Sequence, residues 1–456
     1  MTDVTVGTTG EVDVERWTKA FDHFDPEYAA NAPAIWKAVR DSGCPVAHSP
    51  ANRGMWAPMA HADVEAVARD TEHFSSRSPL VAKFGSLADH GLQVPPISSD
   101  PPYHTGFRQM LLPFFAPRRI DAMRPDIVAH TDNLIDAFLA KGRCDAAGDF
   151  AKPIPVRVIA EMLGVSAEDG AIAGDASVTI DERRAMRGMD ESTFILPEGI
   201  DPIAEEAVEV AGADEGGFGS RVANLLEFGP TDMMAAAPGF LWFVQYFGEQ
   251  IDKRRTLRDA GEPGDDLISF LLSVELAGQP LDQNEMWGAC MLLLFAGIDT
   301  TWSAISASLW HLATHPEDQA RMRAEPEVWP TAIEELLRVY APVTMAREVK
   351  ADIEMSGCPM HVGDPLLLSF PAANRDPAAF EDPDTVILDR AQNRHLSFGA
   401  GIHRCLGSNL ARMELTVALE RFLARVPTFE IDTDADVPVR WAAGQIRGLR
   451  TLPLRW

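Results

Sequence analysis

The ten residues from Phe398 to Gly407, Phe-Gly-Ala-Gly-Ile-His-Arg-Cys-Leu-Gly, place one cysteine, Cys405, in a glycine-rich loop. Residues 406–426 follow with apolar side chains at helical spacing, which predicts a helix directly after the sulfur. The N-terminus of a helix favours a thiolate over a thiol, and the thiolate is the form that binds a metal. Glycine also lets the backbone adopt positive φ and lie against a large ligand. The loop therefore predicts a cysteine-ligated metal centre.

A cysteine by itself is most often a buried and inert core residue. A nucleotide-binding loop is excluded because Arg404 stands where G-x-G-x-x-G requires its third glycine. The stretch instead resembles the heme-binding loop of the cytochrome P-450 superfamily, whose signature Phe-x-x-Gly-x-(His/Arg)-x-Cys-x-Gly is matched at every position. The resemblance implies non-covalent heme b with Cys405 as the iron ligand. It places Phe398, Gly399 and His403 beside the heme.

The length of 456 residues alone suggests about three domains. The resemblance implies instead a mainly α fold with small β-sheets (α+β), with heme between a long central helix and the cysteine loop. Residues 1–30 are predicted to be a loose arm and residues 31–456 a single catalytic domain, with a lid and substrate-access region at about 170–245. Within that region, residues 190–215 hold nine acidic side chains and no Lys or Arg, which favours a solvated surface segment.

Composition excludes several classes of function. The formal net charge of -28 argues against nucleic acid or an anionic membrane as a general partner. The five cysteines are scattered without a CxxC pair, which argues against a disulfide framework, a zinc site and covalent heme. The N-terminus lacks the pattern of a signal peptide, and Asp299 interrupts the longest apolar run. We therefore expect a cytoplasmic protein without a membrane anchor.

A long helix is predicted over residues 282–315, with Asp282 and Glu285 forming a capping box and Pro316 ending it. Its centre is apolar on all sides, as in a helix that runs through a protein core. Asp299 and Thr300 interrupt this apolar centre, although burial of an unpaired polar group is costly. Residues kept at such a cost are expected to have a chemical function.

Asp299 and Thr300 resemble the acid–alcohol pair of the same superfamily, in a pattern that Ala296 and Gly297 complete. The resemblance implies that Asp299 relays protons from bulk water and that Thr300 directs them to the oxygen being reduced. Gly297 leaves room beside the iron. Thr300 can also bond the carbonyl of Ala296, four residues back, and loosen the helix locally. The alternative is a capping or packing role for both residues in a kinked helix.

Four basic residues are predicted to hold the heme propionates. His104 and Arg108 lie four residues apart on a predicted helix that opens with prolines, so they share a face and can bind one carboxylate. The resemblance assigns this pair to one propionate and adds Arg347 and His403 as further partners. Any one of them alone would more often be a surface charge, and it is their joint occurrence in the family order that favours the heme.

Glu335 and Arg338 match a Glu-x-x-Arg pair that the superfamily buries on a helix, usually with a third basic partner from the loop before the cysteine. An exposed pair at this spacing contributes little, whereas breaking a buried network costs several kcal/mol. We predict a structural role in support of the cysteine loop. Residues 385–387 are Thr-Val-Ile where many relatives have Arg-Phe-Asp, which leaves Arg390 as the nearest basic candidate for the third partner.

Apolar side chains are predicted to line the substrate pocket, from stretches that do so in the superfamily. They are Phe84, Leu92, Val94, Ile97, Leu292, Phe295, Ala296, Val343, Met345 and Ile446. Most of them are equally compatible with a plain hydrophobic core. As a set they favour a small or medium hydrophobic substrate, such as a terpenoid, an aromatic compound or a fatty-acid-like molecule, and they do not choose among these.

The resemblance implies a monooxygenase that uses O₂. No flavin or nicotinamide module follows Trp456, so we expect the electrons to come from a ferredoxin with its reductase. Residues 390–425 hold six Arg and two Glu, a basic patch where an acidic ferredoxin is expected to dock. Two alternatives remain open. One is a heme-thiolate enzyme that uses or rearranges peroxide, which usually lacks the acid–alcohol pair, and the other is a non-catalytic heme sensor, for which the chain offers no output module.

Overall fold

The computed structural model of the chain describes residues 12–50, 53–80, 93–165, 222 and 233–456. The chain divides into two compact units, one formed by residues 1–155 and 297–456 and the other by residues 156–296. Several predictions fall outside the described residues. They are most of the lid region at about 170–245, the acidic segment 190–215, and the pocket residues Phe84 and Leu92.

Helices make up most of the described chain. They are α1 Val14–Lys19, α2 Pro26–Asp41, α3 His61–Arg69, α4 Tyr103–Leu111, α5 Pro117–Leu139, α6 Pro153–Leu163, α7 Met233–Asp259, α8 Leu267–Leu271, α9 Gln283–Thr314, α10 Pro316–Ala324, α11 Trp329–Val339, α12 Phe370–Ala373 and α13 Ser408–Arg425. Short 3₁₀ turns occur at Leu112–Phe115, Pro326–Val328 and Gly401–His403, and a π-helical turn at Ala146–Ala151.

The strands are short and form small sheets. They are β1 Val46–Ser49, β2 Met55–Pro58, β3 Phe74–Ser75, β4 Arg143–Asp145, β5 Glu275–Leu276, β6 Gln279–Pro280, β7 Thr344–Val349, β8 Ile353–Met355, β9 Cys358–Met360, β10 Pro365–Ser369, β11 Glu430–Ile431, β12 Arg440–Trp441, β13 Leu449–Thr451 and β14 Pro453–Arg455. The predicted class, mainly α with small β-sheets, is confirmed.

The largest sheet belongs to the first unit and has the order β1-β2-β10-β7-β3. Strand β10 pairs parallel with β2 and antiparallel with β7, with Leu367 opposite Ala346. One core cluster packs Leu367 with Ile35 and Trp36 of α2, and another packs the neighbouring leucines of β10 with α3 and with Ala400 of the cysteine loop. Because both faces of β10 are covered, its run of leucines is apolar without alternation. This sheet therefore anchors the loop that carries the cysteine.

The first unit also contains the smaller sheets β11-β14-β4, β12-β13 and β8-β9. Strand β14 pairs antiparallel with β4 and with β11. The second unit contains the β5-β6 hairpin and the helices α7 and α8. Within that unit Arg254 of α7 donates to Asp266, the N-cap of α8, at 2.9 Å and to the carbonyl of Gly164 at 2.6 Å. This buried arginine ties the end of α6 to α7 and α8.

The loose arm expected through residue 30 is wrong for its described part. Asp13 caps α1 by accepting the N–H of Arg16 at 3.0 Å, and Trp17 and Phe21 are fully buried. Trp17 packs edge-on against Phe21, with ring centroids 5.9 Å apart. Aromatic burial is a strong stabilising contribution, so this segment is part of the core.

The long central helix is α9, which begins one residue later and ends one residue earlier than predicted. Its capping box is formed: the N–H of Asp282 donates to Glu285 at 2.9 Å, and the N–H of Glu285 donates to Asp282 at 2.8 Å. Among the described residues, α9 is the one helix long and apolar enough to cross a membrane. Since 72% of that apolar window is buried within the protein, α9 fits the description of a core helix equally well.

Candidate active site

Cys405 lies between the 3₁₀ turn Gly401–His403 and the start of α13, and its N–H donates to the carbonyl of Phe398 at 2.8 Å. Gly399 and Gly401 adopt positive φ of 66° and 68°. A Cβ atom on Gly401 would lie 2.5 Å from the carbonyl oxygen of Ala68, so only glycine lets the loop dock this closely on α3. Backbone contacts therefore fix the position of the cysteine.

The side chain of Cys405 is exposed, yet burial within the protein raises the pKa of its thiol. Both observations hold if the sulfur faces open space that the protein surrounds. The N–H of Gly407 and the charges of Arg108, Arg404 and Arg412 lower the pKa, but burial outweighs them. The N–H of Gly407 at the start of α13 thus acts in the predicted direction, toward the thiolate, but the net effect of all groups is a raised thiol pKa. These donors and cations are the groups that stabilise a thiolate once a metal replaces the proton.

His104 and His403, two of the predicted propionate partners, stack with ring centroids 4.1 Å apart. Both nitrogens of His104 and Nε2 of His403 are buried and have no hydrogen-bond partner among the described residues. Burial, Arg108 and Arg347 lower the pKa of His104 to about 4, with Asp100 opposing them. Burial and the charges of Arg347, His104 and Arg108 lower the pKa of His403 to about 2. The four predicted residues are thus brought together as a basic cluster.

Among the described residues, no carboxylate pairs with the cations of this basic cluster. Burial lowers the pKa of Arg347 to about 10, and the charge of Asp100 opposes this shift. Asp100 is already engaged by the hydroxyl of Ser75 at 2.6 Å and the N–H of Ser76 at 2.8 Å. Buried polar groups are normally hydrogen-bonded, and buried cations are normally paired. A ligand with two carboxylates and an iron, such as heme b, fits the orphaned imidazoles, the cations and the exposed sulfur.

Asp299 of α9 is buried, but it is not unpaired. Its two carboxylate oxygens accept hydrogen bonds from Arg450 of β13, at 2.7 and 3.0 Å, and the hydroxyl of Ser303 lies 3.4 Å away. Asp299 and Arg450 are only 3% and 8% exposed. Arg450 was not predicted from the sequence, because it lies 151 residues further along the chain and no local pattern marks it. The relay role of Asp299 stays a prediction, and the carboxylate in question is ion-paired with Arg450.

One stripe of α9 is less covered than the rest of its centre. Leu292, Phe295 and Thr300 are half-buried and Ala296 is exposed, whereas the surrounding apolar residues are mostly buried. Positions three, four and eight residues apart share a helix face. The predicted pocket residues of α9 and the predicted catalytic Thr300 therefore lie on one common, open face, together with the half-buried Gly297.

The remaining predicted pocket residues have mixed surroundings. Val343 and Ile446 are brought together in an isolated antiparallel bridge. Val343 and Met345 also pack against the core cluster that includes β10, which is the core role that the sequence analysis left open. Val94 is buried and Ile97 is half-buried. None of these positions carries a charge, in keeping with a hydrophobic pocket.

Glu335 and Arg338 are fully buried and form two hydrogen bonds of 2.8 Å. Arg390 donates to both carboxylate oxygens of Glu335 at 3.0 Å, as expected for the third partner. Asn393 donates to the same carboxylate at 3.1 Å. Burial opposes ionisation, but Arg338 and the other donors hold the pKa of Glu335 below its ordinary value. The network joins α11 to the segment that leads into the cysteine loop.

A second network beside it was missed by the sequence analysis. Glu334 accepts hydrogen bonds from Arg412 of α13 at 2.6 and 2.8 Å and from His395 at 3.1 Å. Burial opposes the shift, yet Arg412 and His395 lower the pKa of Glu334 to about 2. The guanidinium of Arg412 also lies 4.4 Å from the ring centroid of Phe398. The one sign of this network in the sequence was that a second acidic residue, Glu334, stands directly before Glu335.

The basic patch predicted over residues 390–425 is largely neutralised. Four of its six arginines bind carboxylates, namely Arg390 with Glu335, Arg412 with Glu334, Arg421 with Asp132, and Arg425 with Asp132 and Asp136. Arg394 and Arg404 are exposed, and neither forms an ion pair within the described part of the chain. The patch was predicted from the charges within residues 390–425, whereas the carboxylates that neutralise these arginines belong to α5 and α11. Two arginines therefore remain of the predicted patch.

Comparisons with known proteins agree with this geometry. The sequence profile of the family described as Cytochrome P450 matches residues 243–441. Probable cytochrome P450 127A1 of Sinorhizobium fredii is 33% identical, with 92% of this chain and 88% of the relative covered. Vitamin D3 dihydroxylase of Streptomyces griseolus is 32% identical, with 79% and 77% covered. The solved structure of cytochrome P450 CYP109Q5 from Chondromyces apiculatus covers 96% of this chain and 98% of its own, with a TM-score of 0.75 and 28% identity.

Proposed function

Because the chain belongs to the cytochrome P450 family, we propose that it is a ferredoxin-dependent heme-thiolate monooxygenase acting on a small or medium hydrophobic substrate. Membership of the family establishes the coarser statement: the protein is an oxygen-incorporating enzyme that binds heme through a cysteine thiolate and takes electrons from a redox partner. The identity of the ligating cysteine, the electron donor and the substrate class are the proposed parts.

The observation that carries the proposal is the basic cluster near Cys405, which is an exposed residue. We assign Cys405 as the iron ligand and His104, Arg108, Arg347 and His403 as the partners of the heme propionates. Heme, when bound, supplies the redox-active iron at which O₂ is reduced. The protein residues would neutralise the propionates and stabilise the thiolate. Their unsatisfied nitrogens support this assignment.

Proton delivery is assigned to Asp299 and Thr300. Thr300 lies on the open stripe of α9, next to the apolar residues proposed to contact substrate. Asp299, one residue earlier, is bound to Arg450 at the edge of that stripe. A hydroxyl at this place can donate one proton and accept another without a net change of charge. This pairing supports an enzyme that uses O₂ over one that uses peroxide directly.

The substrate and partner assignments rest on the apolar lining and on exposed basic residues. The apolar lining favours a hydrophobic substrate, and one relative is named for the dihydroxylation of vitamin D3, a hydrophobic molecule. Arg394 and Arg404 offer exposed positive charge next to the cysteine loop for an acidic ferredoxin. We further propose that residues 31–456, together with the packed residues 12–30, act as one catalytic domain, and that the protein works in the cytoplasm. The relative that matches 92% of the chain supports the former.

The test is reconstitution with a ferredoxin, its reductase and NAD(P)H, after a screen for hydrophobic compounds that shift the heme absorption. We expect an oxidised product whose formation requires both electron proteins and O₂. Cys405→Ser is the matched control, because it should lose the red-shifted band of the reduced carbon monoxide complex. Equal product formation with hydrogen peroxide alone would indicate the peroxide-using alternative. A stable carbon monoxide complex that accepts no electrons from any ferredoxin would indicate a sensor.

A further inference from the structure

Two cysteines outside the candidate active site lie side by side, although 314 residues separate them in the chain. The sulfur atoms of Cys44 and Cys358 are 3.7 Å apart. Cys44 lies in the connection between α2 and β1, and Cys358 is the first residue of β9. Both residues are half-buried and carry free thiols. The fold therefore creates a dithiol that no spacing in the sequence marks.

The two sulfur atoms can bond to each other after a small movement. An S–S bond is about 2.05 Å long, so sulfurs 3.7 Å apart must approach by about 1.7 Å, which is within reach of rotation about the Cα–Cβ bonds. Each cysteine directly follows a glycine with positive φ, Gly43 at 89° and Gly357 at 81°. A Cβ atom on either glycine would meet nothing within 4 Å, so both turns border open space. The surrounding backbone therefore leaves room for this adjustment.

The dithiol lies close to the surface, where a small oxidant can reach it. The two residues that precede each cysteine are exposed. Burial raises the pKa of Cys358, and the neighbouring thiol of Cys44 and the carboxylates of Asp63 and Glu354 raise it further. The carboxylate of Asp63, on α3, also accepts the hydroxyl of Ser356 at 2.7 Å. Because the thiolate is the reactive form, a thiol with a raised pKa is oxidised slowly and responds to sustained exposure.

Both cysteines pack against one hydrophobic cluster of the first unit. This cluster includes Leu366 and Leu368 of β10 and Ala400 of the cysteine loop. A bond between the two sulfurs would join β9 to the segment that enters β1, next to this cluster. It would also close a loop of 314 residues in the unfolded chain, and a cross-link over so long a loop strongly restricts the unfolded state. The bond would therefore stabilise the part of the core that anchors the cysteine loop.

We propose that Cys44 and Cys358 form a reversible disulfide, a modification site that hydrogen peroxide closes and small thiols such as glutathione reopen. One thiolate attacks the O–O bond of hydrogen peroxide, which gives a sulfenic acid and releases hydroxide. The second thiol then displaces the hydroxyl group as water and forms the S–S bond. In total two thiols and one hydrogen peroxide give one disulfide and two water molecules, as two electrons pass from sulfur to oxygen. Disulfides in reducing compartments are usually of this transient kind.

The test treats the heme-loaded protein with hydrogen peroxide, alkylates the remaining thiols and maps the peptides by mass spectrometry without reduction. We expect a cross-linked peptide pair that joins Cys44 to Cys358 and disappears after dithiothreitol. Oxidised glutathione is the second oxidant, because it exchanges with thiols without attacking heme. The oxidised wild type should also unfold at a temperature several degrees higher than the reduced protein. Because the oxidant is added from outside, the site can be tested whether or not the protein is the proposed monooxygenase.

The informative variants are Cys44→Ser and Cys358→Ser, because each leaves a single thiol of the pair. Both should lose the cross-link and the rise in unfolding temperature on oxidation. Cys144→Ala is the matched control, since Cys144 is a buried free cysteine of β4. Its loss should leave the cross-link and the oxidation-dependent rise unchanged.

Cys44 and Cys358 that stay free, or are oxidised separately, in wild type treated with both oxidants would overturn the proposal. A cross-link that forms only after unfolding in denaturant would do the same, because the native geometry would then not favour the bond. An unchanged unfolding temperature beside a mapped cross-link would overturn the stabilising effect. The wild type carries all of these readouts, so they decide the matter even if a serine variant does not fold.

Discussion

At the scale of single residues, the chemistry of this protein depends on side chains placed in surroundings that would be costly without a partner. Cys405 has an exposed sulfur and a raised pKa, and the imidazoles of His104 and His403 are buried without hydrogen-bond partners among the described residues. Each of these costs disappears if an anionic, iron-containing ligand is bound. Asp299 is a related case, because the cost of burying its carboxylate is offset by Arg450 of the same chain.

Replacement of Thr300 by Ala should leave heme bound but divert electrons from product to hydrogen peroxide. The hydroxyl is the proposed donor of protons on the open stripe of α9, and alanine keeps the helix without it. Peroxide formed per NAD(P)H consumed measures the effect. Thr301→Ala is the control, because it makes the same chemical change at the next residue, which is buried. Equal coupling in the two variants would argue against the relay role of Thr300.

At the scale of elements, helix α11 supports the cysteine loop through two adjacent acidic residues. Glu335 joins it to the segment around Arg390, and Glu334 joins it to α13 through Arg412. One network is fully buried and the other is about 30% exposed. Because buried ion pairs depend on every member, the first should be the more sensitive to substitution.

Arg390→Ala should destabilise the folded protein by about 3–5 kcal/mol, because Glu335 would remain buried with one cation fewer. Denaturant unfolding of the heme-loaded protein measures the change. Arg394→Ala serves as the control, since Arg394 is an exposed arginine of the same segment. We expect its effect to stay within about 0.5 kcal/mol. Similar losses in both variants would contradict the view that the buried network is the support.

The pairing of Glu334 predicts a defined loss of stability in acid. Its pKa in the folded protein is about 2, below the ordinary value of 4.5. Its stabilising contribution is therefore complete above pH 4.5 and is lost as the pH falls through about 2. Arg412→Ala should raise the folded pKa and remove part of this contribution at neutral pH. Unfolding measured from neutral to acidic pH should then show a weaker decline in the variant, and an unchanged decline would contradict the assignment.

At the scale of the whole molecule, charge is distributed unevenly. The chain carries a net charge of -28, yet Arg394 and Arg404 near the cysteine loop are exposed and unpaired among the described residues. At about 0.1 M salt the Debye length is about 10 Å, so an approaching protein senses local charges before the total. We therefore expect the docking of the proposed acidic donor to depend on these two arginines more than on the sign of the net charge.

Arg404→Gln and Arg394→Gln should each slow the first electron transfer from the ferredoxin several-fold at moderate salt. The rate should also become less sensitive to added salt, because one attractive charge is lost. Stopped-flow reduction under carbon monoxide measures both quantities. Arg421→Gln is the control, as Arg421 is paired with Asp132 at 2.8 Å and contributes little free charge. If this control slows the transfer equally, the donor docks on a different surface.

The sequence alone determined the features that are local in the chain. The loop around Cys405 and the capping box of α9 are each encoded within a few consecutive residues, so pattern and propensity suffice. Short-range rules apply to these two features because their partners are fixed by backbone geometry. The meeting of the basic residues is not local, and it was predicted from the resemblance to the superfamily; they are His104, Arg108, Arg347 and His403.

Only the tertiary structure decided which charges remain free. Arg450 meets Asp299 across 151 positions, Arg421 meets Asp132 across 289, and Arg412 meets Glu334 across 78. The balance of burial against cations at Cys405 likewise depends on distant segments. The physical reason is that the energy of a charge depends on what surrounds it in space, and neighbours in space are set by packing rather than by order in the chain.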